Sequence, residues 1–203
     1  MAVLSDKLKD YNIILASGSP RRKEIMQMLG INFIVKTKPT QENYPENLKG
    51  GDIPLYLAEL KASAFDNDLQ NTNEKTIILT ADTIVYINDK LLGKPKDAQD
   101  AKKMLKTLSG NMHEVFTGVC IKSKYKQTNC LAATKVWFRP LTDEEIDFYV
   151  NTYKPFDKAG AYAVQEWIGA AAISRIEGSF YNVMGLPSQL VSNELEKFIQ
   201  TEK

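Results

Sequence analysis

The sequence contains one histidine, His113, and two cysteines, Cys120 and Cys130. A single histidine excludes a histidine-rich zinc site and argues against a Ser-His-Asp catalytic triad. The cysteines lack the Cys-X-X-Cys spacing, so we expect two buried, reduced thiols rather than a disulfide framework. Neither the Gly-X-Gly-X-X-Gly pattern nor the P-loop pattern occurs, so the two best-known nucleotide-binding loops are not indicated.

The chain also lacks an excess of charge and a long apolar run. It carries 26 basic and 25 acidic residues, a formal net charge of +1, which gives no field for binding a nucleic acid polymer. No run approaches the roughly 20 apolar residues of a membrane span. Residues 1–10 alternate charged and apolar side chains, which argues against a signal peptide and predicts a cytoplasmic protein.

The 203 residues, 43% of them hydrophobic, are enough for one sizeable core or two small ones. Apolar, β-prone runs interleave with helical patterns, but some strand-like runs follow one another directly. This arrangement predicts an α/β protein with a mixed sheet. The polar breaks have the length of loops, so we predict one domain over residues 1–203, for which two lobes remain an alternative.

The segment ASGSPRR, residues 16–22, lies between a short apolar strand and a helical pattern. Ser19 suits the N-cap position and Pro20 the first helical turn. Arg21 and Arg22 then fall in the first turn, where the helix dipole disfavours cations. A bound polyanion would offset that cost, since small residues such as Ser17 and Ser19 let phosphate approach backbone N–H groups. The alternative is an ordinary strand–turn–helix with two solvated arginines.

Asp82 lies inside a β-prone run, residues 76–87, that should be buried. A buried carboxylate without a partner is costly, so Asp82 is either paired structurally or placed at a functional site beside Thr83. Other candidates carry little signal alone. They are Glu42 in a polar loop, Lys61 on a predicted helix, Lys94 in a Gly-Lys-Pro turn, and Gln165 after an apolar pair. Such an inventory suits phosphate binding with an oxygen-liganded cation such as Mg²⁺.

Six segments in chain order resemble the Maf family of nucleotide pyrophosphatases. They are ASGSPRR (16–22), ADTIV (81–85), GKP (93–95), DKAGAYAVQ (157–165), IEGS (176–179) and GLP (185–187). The resemblance implies hydrolysis of nucleoside triphosphates to the monophosphate and pyrophosphate, as a house-cleaning activity. It also implies an elongated mixed sheet flanked by helices, with a central cleft as in inosine-triphosphate pyrophosphatases, and a divalent cation, Mg²⁺ or Mn²⁺.

Arg21, Thr83 and Gln165 match the branch of this family that prefers dTTP and UTP over 7-methyl-GTP. In one respect the chain departs from the family: Glu166 stands where a glycine usually follows the motif glutamine. Turned towards the base, Glu166 would accept a hydrogen bond from an amino group and admit CTP or a modified purine. This departure puts the shape of the local loop in doubt, but not the reaction.

The resemblance implies a role for each candidate. Asp82 would be the general base or a metal ligand, and Glu42 would share the cation. The predicted phosphate-neutralising residues are Arg21, Arg22, Lys61 and Lys94, and the predicted base-selecting residues are Thr83 and Gln165. A second hypothesis is a non-catalytic nucleotide or anion sensor acting on cell division or septation. The sequence leaves the oligomeric state open, a homodimer included.

Overall fold

The computed structural model describes residues 3–72 and 75–201. In these residues the strands are β1 (Asn12–Leu15), β2 (Ile34–Val35), β3 (Thr76–Ile87), β4 (Lys90–Leu92), β5 (Met112–Lys122), β6 (Gln127–Phe138) and β7 (Ile173–Glu177). The helices are α1 (Leu4–Lys7), α2 (Pro20–Met28), α3 (Asp52–Ser63), α4 (Asp66–Gln70), α5 (Ala98–Leu108), α6 (Asp143–Tyr153), α7 (Trp167–Ala172), α8 (Phe180–Met184) and α9 (Ser188–Gln200). A 3-10 turn spans Ala159–Ala161.

The seven strands form one mixed sheet. Its order is β2-β1-β3-β5-β6-β7, and β4 pairs with β3 off this path. Strand β1 runs parallel to both β2 and β3, whereas β4 is antiparallel to β3 and β7 is antiparallel to β6. The prediction of an α/β protein with a mixed sheet and helices around it is confirmed.

The chain divides into two compact units. The first comprises the described residues of Met1–Asp82, Thr117–Ala132 and Gly185–Lys203, and the second comprises Thr83–Phe116 and Ala133–Met184. In the first unit, Ile14 and Ile78 of the parallel strands pack with Phe65 and Leu69. In the second, the core includes buried residues of α5, α6 and the strands. The single-domain assignment stays a prediction.

Local sequence signals account for many boundaries. Asp97 accepts a hydrogen bond from the Asp100 amide at 2.8 Å and so caps α5. Residues 142–145 read Thr-Asp-Glu-Glu, a pattern that predicts a capping box, and such a box joins Thr142 and Glu145 at the start of α6. Residues 66–75 are polar, a composition that predicts a connection without regular structure, and this prediction is wrong because the segment contains helix α4. Asn73 and Glu74 lie outside the described residues.

The two thiols differ in burial. Cys120 is fully buried, but Cys130 is only half-buried, so the expectation of two buried thiols is wrong for Cys130. Both are free, and burial raises the pKa of each to about 12. Such thiols are poor nucleophiles at neutral pH. Through residues 3–72 and 75–201, no helix has the length and apolar character needed to cross a membrane.

Candidate active site

Arg22 connects three of the sequence motifs within the first unit. Its Nε donates a hydrogen bond to the Gly185 carbonyl at 2.8 Å. Its Nη1 donates to the Ala81 carbonyl at 2.7 Å and to Ser17 Oγ at 3.2 Å. One guanidinium therefore joins the GLP segment, the ADTIV segment inside β3 and the ASGSPRR turn. Its planar fork makes these contacts in fixed directions, which a lysine cannot reproduce.

The first turn of α2 concentrates positive charge, as its sequence predicts. Pro20 begins the helix and Ser19 is the N-cap, although the Ser19 side chain makes no capping hydrogen bond. Instead the Ser19 amide donates a hydrogen bond to Ser17 Oγ at 3.3 Å. Burial lowers the pKa of Arg22, the Asp82 carboxylate opposes that shift, and Arg21 adds repulsion. Ser17 is buried, and Ser19 and Arg21 are half-buried.

Asp82 has a charged partner, which explains how β3 tolerates a carboxylate that is only 8% exposed. Lys61 Nζ donates to Asp82 Oδ1 at 2.5 Å and lies 3.0 Å from Glu42 Oε1. Lys61 thus joins two of the predicted acidic residues. The Asp82 and Lys61 side chains are largely shielded, whereas the Glu42 side chain is about half exposed. The structural alternative for Asp82, a paired buried charge, is therefore satisfied, and the pairing leaves a catalytic role open.

The positions of these three groups follow from their elements. Lys61 lies in the last turn of α3, where the helix dipole favours a cation. Glu42 belongs to residues 36–51, which form no helix or strand, as the prolines and glycines there predict. Asp82 lies in the interior of β3, most of whose residues are buried. A fixed strand and a helix end hold the central pair, and a loop supplies the third group.

The residues present fit a divalent cation that is held jointly with substrate. Among the described residues, no group of three or more histidine, cysteine or acidic side chains is placed to hold a metal ion. Mg²⁺ is commonly bound by one or two carboxylates, with phosphate oxygens and water completing its shell. Asp82 and Glu42, joined through Lys61, offer that number of carboxylates. The donor set is therefore too small for a protein-only site but adequate for a metal–triphosphate complex.

The other predicted residues belong to the second unit. Lys94 is exposed in the turn after β4, and Thr83 is half-buried in β3. The Gly93 carbonyl accepts a hydrogen bond from the Gly160 amide at 3.0 Å, so the GKP turn is tied to the DKAGAYAVQ segment. Gly160 has φ +66°, and a Cβ there would lie 3.0 Å from Val85, so this crossing requires glycine.

Gln165 is exposed, and it lies in a tight turn that begins at buried Ala163. The Glu166 amide donates to the Ala163 carbonyl at 3.1 Å and closes this turn. The Glu166 carboxylate accepts a hydrogen bond from Tyr149 and lies 3.3 Å from Lys158 Nζ. Both oxygens of the Glu166 carboxylate are thus engaged inside the second unit.

Sequence reasoning missed the groups that support these motifs. The Ala81 and Gly185 carbonyls and the Tyr149 hydroxyl were assigned no role. Backbone carbonyls are present at every position and therefore leave no signal in a sequence. Tyr149 lies on a helix that carries several aromatic residues, and only Lys158, inside the DKAGAYAVQ segment, could have been suspected.

Comparisons with known proteins identify the family of this chain. A family model described as Maf-like protein matches residues 12–198. A dTTP/UTP pyrophosphatase of Porphyromonas gingivalis (strain W83) is 50% identical over 194 residues, 95% of this chain and 97% of the relative. A dTTP/UTP pyrophosphatase of Flavobacterium johnsoniae is 48% identical, covering 97% of this chain and all of the relative.

A solved structure shares the fold at low sequence identity. The Staphylococcus aureus Ham1 protein superposes with a TM-score of 0.52 and 15% identity, over 92% of this chain and 99% of that one. This likeness supports the architecture alone. The family match over nearly the whole length and the identity of about one half go further: this chain belongs to the Maf family.

Proposed function

We propose that this chain hydrolyses dTTP and UTP to the corresponding monophosphate and pyrophosphate. The observation that carries the proposal is an identity of about one half, over nearly the full length, to relatives named dTTP/UTP pyrophosphatase. The geometry of the first unit supports it. A shielded carboxylate, Asp82, is held by Lys61, and Arg22 is fixed by backbone carbonyls.

In the proposed reaction, the oxygen of a water molecule forms a bond to the α-phosphorus of the nucleotide. The bond from that phosphorus to the oxygen bridging the β-phosphorus breaks, and pyrophosphate leaves. Asp82 either accepts the proton of the attacking water or serves as a metal ligand. Its contact with Lys61 fixes the carboxylate in one orientation, as a positioned base requires.

The negative charge of the triphosphate must be neutralised by cationic groups. Arg21, Arg22, Lys61 and Lys94 are the proposed neutralising groups. Arg22 supports this role because its three hydrogen bonds fix the guanidinium before substrate arrives, so little reorganisation is needed during reaction. Ser17 and Ser19, at the turn before α2, would let phosphate oxygens approach the backbone.

Asp82 and Glu42 are the proposed ligands of the divalent cation. When bound, Mg²⁺ or Mn²⁺ would neutralise phosphate oxygens and orient the triphosphate. The protein contributes two carboxylates and holds both beside Lys61, whose ammonium group limits their mutual repulsion before the cation arrives.

Base selection is assigned to Gln165, with Thr83 and Arg21 as further contributors. An amide can donate and accept hydrogen bonds in one plane, which suits the carbonyl and N–H edge of thymine or uracil. A wrong base would leave the hydrogen-bonding groups of the Gln165 amide unpaired in the complex, which discriminates more strongly than a size misfit.

The experiment that tests this proposal measures pyrophosphate release from dTTP, UTP, CTP, GTP and 7-methyl-GTP, with Mg²⁺ or Mn²⁺ and with EDTA. We expect the highest kcat/KM for dTTP and UTP, and loss of activity with EDTA. A preference for 7-methyl-GTP would overturn the branch while leaving a pyrophosphatase. Binding without release from any nucleotide would favour the sensor hypothesis. A cytoplasmic location and a homodimer stay predictions.

A further inference from the structure

The Tyr149 hydroxyl forms hydrogen bonds to both ends of the turn that contains Gln165. The Tyr149 hydroxyl accepts a hydrogen bond from the Ala163 amide at 3.3 Å and donates one to the Glu166 carboxylate. The turn itself is closed by the hydrogen bond from the Glu166 amide to the Ala163 carbonyl. Gln165 therefore lies between two residues that are anchored to the same buried oxygen.

The anchor is rigid. Tyr149 is fully buried in α6, and its ring stacks on Tyr153 with a centroid distance of 5.0 Å. Burial, reinforced by the Glu166 carboxylate, raises the pKa of the Tyr149 hydroxyl, so it keeps its proton and remains a donor. Because the phenol has few accessible orientations in this packing, it fixes the two turn residues in space.

Charge pairing completes the anchor. Lys158 Nζ lies 3.3 Å from Glu166 Oε1 and 2.7 Å from Asp157 Oδ1. The Lys158 side chain is 10% exposed and that of Glu166 is 21% exposed, so this pair is well shielded from water. A shielded carboxylate needs such partners, and here it has an ammonium and a phenol. We call Tyr149, Lys158 and Glu166 the Glu166 clasp.

Close packing on the other side of the turn leaves it little room to move. A Cβ on Gly169, in the first turn of α7, would lie 1.8 Å from the Val164 carbonyl oxygen. The Gly169 amide also donates to the Glu166 carbonyl at 3.0 Å. The turn is thus confined by α7 and tied to α6 through the clasp, and the exposed Gln165 side chain is its outward group.

We propose that Glu166, acting through the clasp, is a positioning residue that orients Gln165 for base selection, an inference that rests on the proposed function. Glu166 touches neither phosphate nor base in this role. The Glu166 carboxylate, engaged by Tyr149 and Lys158, holds the turn in one conformation. A fixed turn makes the selection of pyrimidines that match the Gln165 amide stricter. Glu166 does not accept a hydrogen bond from the amino group of CTP, so it does not favour this nucleotide.

The test compares Tyr149→Phe and Glu166→Gly with the matched control Tyr153→Phe, which removes the same atom from the stacked neighbouring ring. For Tyr149→Phe and Glu166→Gly we expect kcat/KM for dTTP to fall about tenfold, mainly through KM. The first variant loses both hydrogen bonds of the Tyr149 hydroxyl, and the second loses the hydrogen bond from Tyr149 and the ion pair with Lys158. We expect GTP hydrolysis to change by less than about twofold. Tyr153→Phe should leave both nucleotides within about twofold of wild type, and thermal unfolding checks that each variant is folded.

A Gln165→Ala background separates positioning from general damage. If the clasp acts through Gln165, adding Tyr149→Phe to Gln165→Ala causes no further loss of kcat/KM for dTTP. Equal losses on dTTP and GTP, or the same loss with and without Gln165, would overturn the proposal. So would unchanged hydrogen exchange of the Glu166 amide in Tyr149→Phe.

The hydrogen-exchange measurement does not depend on activity. A wild-type protein that releases no pyrophosphate refutes the proposed function. In that event the clasp is judged by exchange at residues 163–166 and by calorimetric binding of a non-hydrolysable dUTP analogue to wild type and Tyr149→Phe. Equal affinity of the two proteins would then refute it.

Discussion

Lys61 Nζ lies 2.5 Å from Asp82 Oδ1, and this contact joins the last turn of α3 to the interior of β3. The two residues are separated by 21 positions in the chain. The pair explains why a charged side chain survives in a buried strand, and it fixes the carboxylate to which the proposed chemistry assigns the central role. The lysine is thus both a structural counter-ion and a candidate phosphate ligand.

Asp82→Asn should reduce turnover of dTTP by about a hundredfold or more, because a positioned base or metal ligand is lost. The fold should persist, since asparagine has nearly the same shape and Lys61 retains its contact with Glu42. Pyrophosphate release and thermal unfolding are measured on the same preparation. Near-normal release by a folded variant would remove Asp82 from the mechanism.

Lys61→Met should lower the free energy of unfolding by about 2–4 kcal/mol, since it leaves the Asp82 carboxylate shielded and without its ammonium partner. Glu42→Gln is the matched comparison, because it removes the half-exposed carboxylate from the same lysine. Its cost should be below about 1 kcal/mol. Urea unfolding of both variants at pH 7 measures the difference, and equal costs would contradict the central role of the Lys61–Asp82 contact.

The features of this fold that the sequence predicts are those set by residues close together in the chain. The bounds of β3 were predicted correctly because residues 76–87 form a continuous β-prone run, and the α6 cap because the capping box has a short-range pattern. The partner of Asp82 could not be predicted, since Lys61 reaches it only through tertiary packing. The five-residue helix α4 was missed because so short a helix carries no periodicity.

In the candidate site, too, local sequence predicts the residues but not their tertiary contacts. Its residue types were predicted from motifs, but the role of Arg22 as a connector was not, because its strongest contacts are to backbone carbonyls. The engagement of Glu166 was likewise unpredictable, since Tyr149 lies 17 positions away on a separate helix. Sequence motifs identify the candidate side chains, whereas tertiary packing determines which groups each of them contacts.

Arg22→Lys should lower activity on every nucleotide by a similar factor, about tenfold or more, because a phosphate ligand does not distinguish bases. It should also lower the free energy of unfolding by about 2 kcal/mol, since lysine cannot span Ser17, Ala81 and Gly185 together. Arg21→Trp should instead alter the ratio of kcat/KM between dTTP and 7-methyl-GTP. Indistinguishable nucleotide profiles for the two variants would show that this division of roles is wrong.

His113 makes the stability of the second unit sensitive to moderate acid. The ring is 1% exposed, its Nε2 lies 2.7 Å from the Tyr162 hydroxyl, and burial lowers its pKa to about 3. The Nδ1 atom has no hydrogen-bond partner among the residues that the structure describes, so a proton there would be unsupported. Native His113 therefore stays neutral at pH values where the unfolded chain, with an ordinary pKa near 6.5, binds a proton.

The unfolded state takes up that proton at a higher pH than the native state does. The contribution of neutral His113 to the free energy of unfolding is therefore fully present above about pH 6.5 and is lost as the pH falls towards 3. We expect the free energy of unfolding to fall by about 2 kcal/mol between pH 7 and pH 5. The range stops at pH 5 because carboxylates such as Glu145, whose pKa is lowered to about 2 by Arg139, add their own dependence below it. In His113→Leu this fall should nearly vanish, as measured by urea unfolding at both pH values. If the variant keeps the full pH dependence, then His113 is not its source.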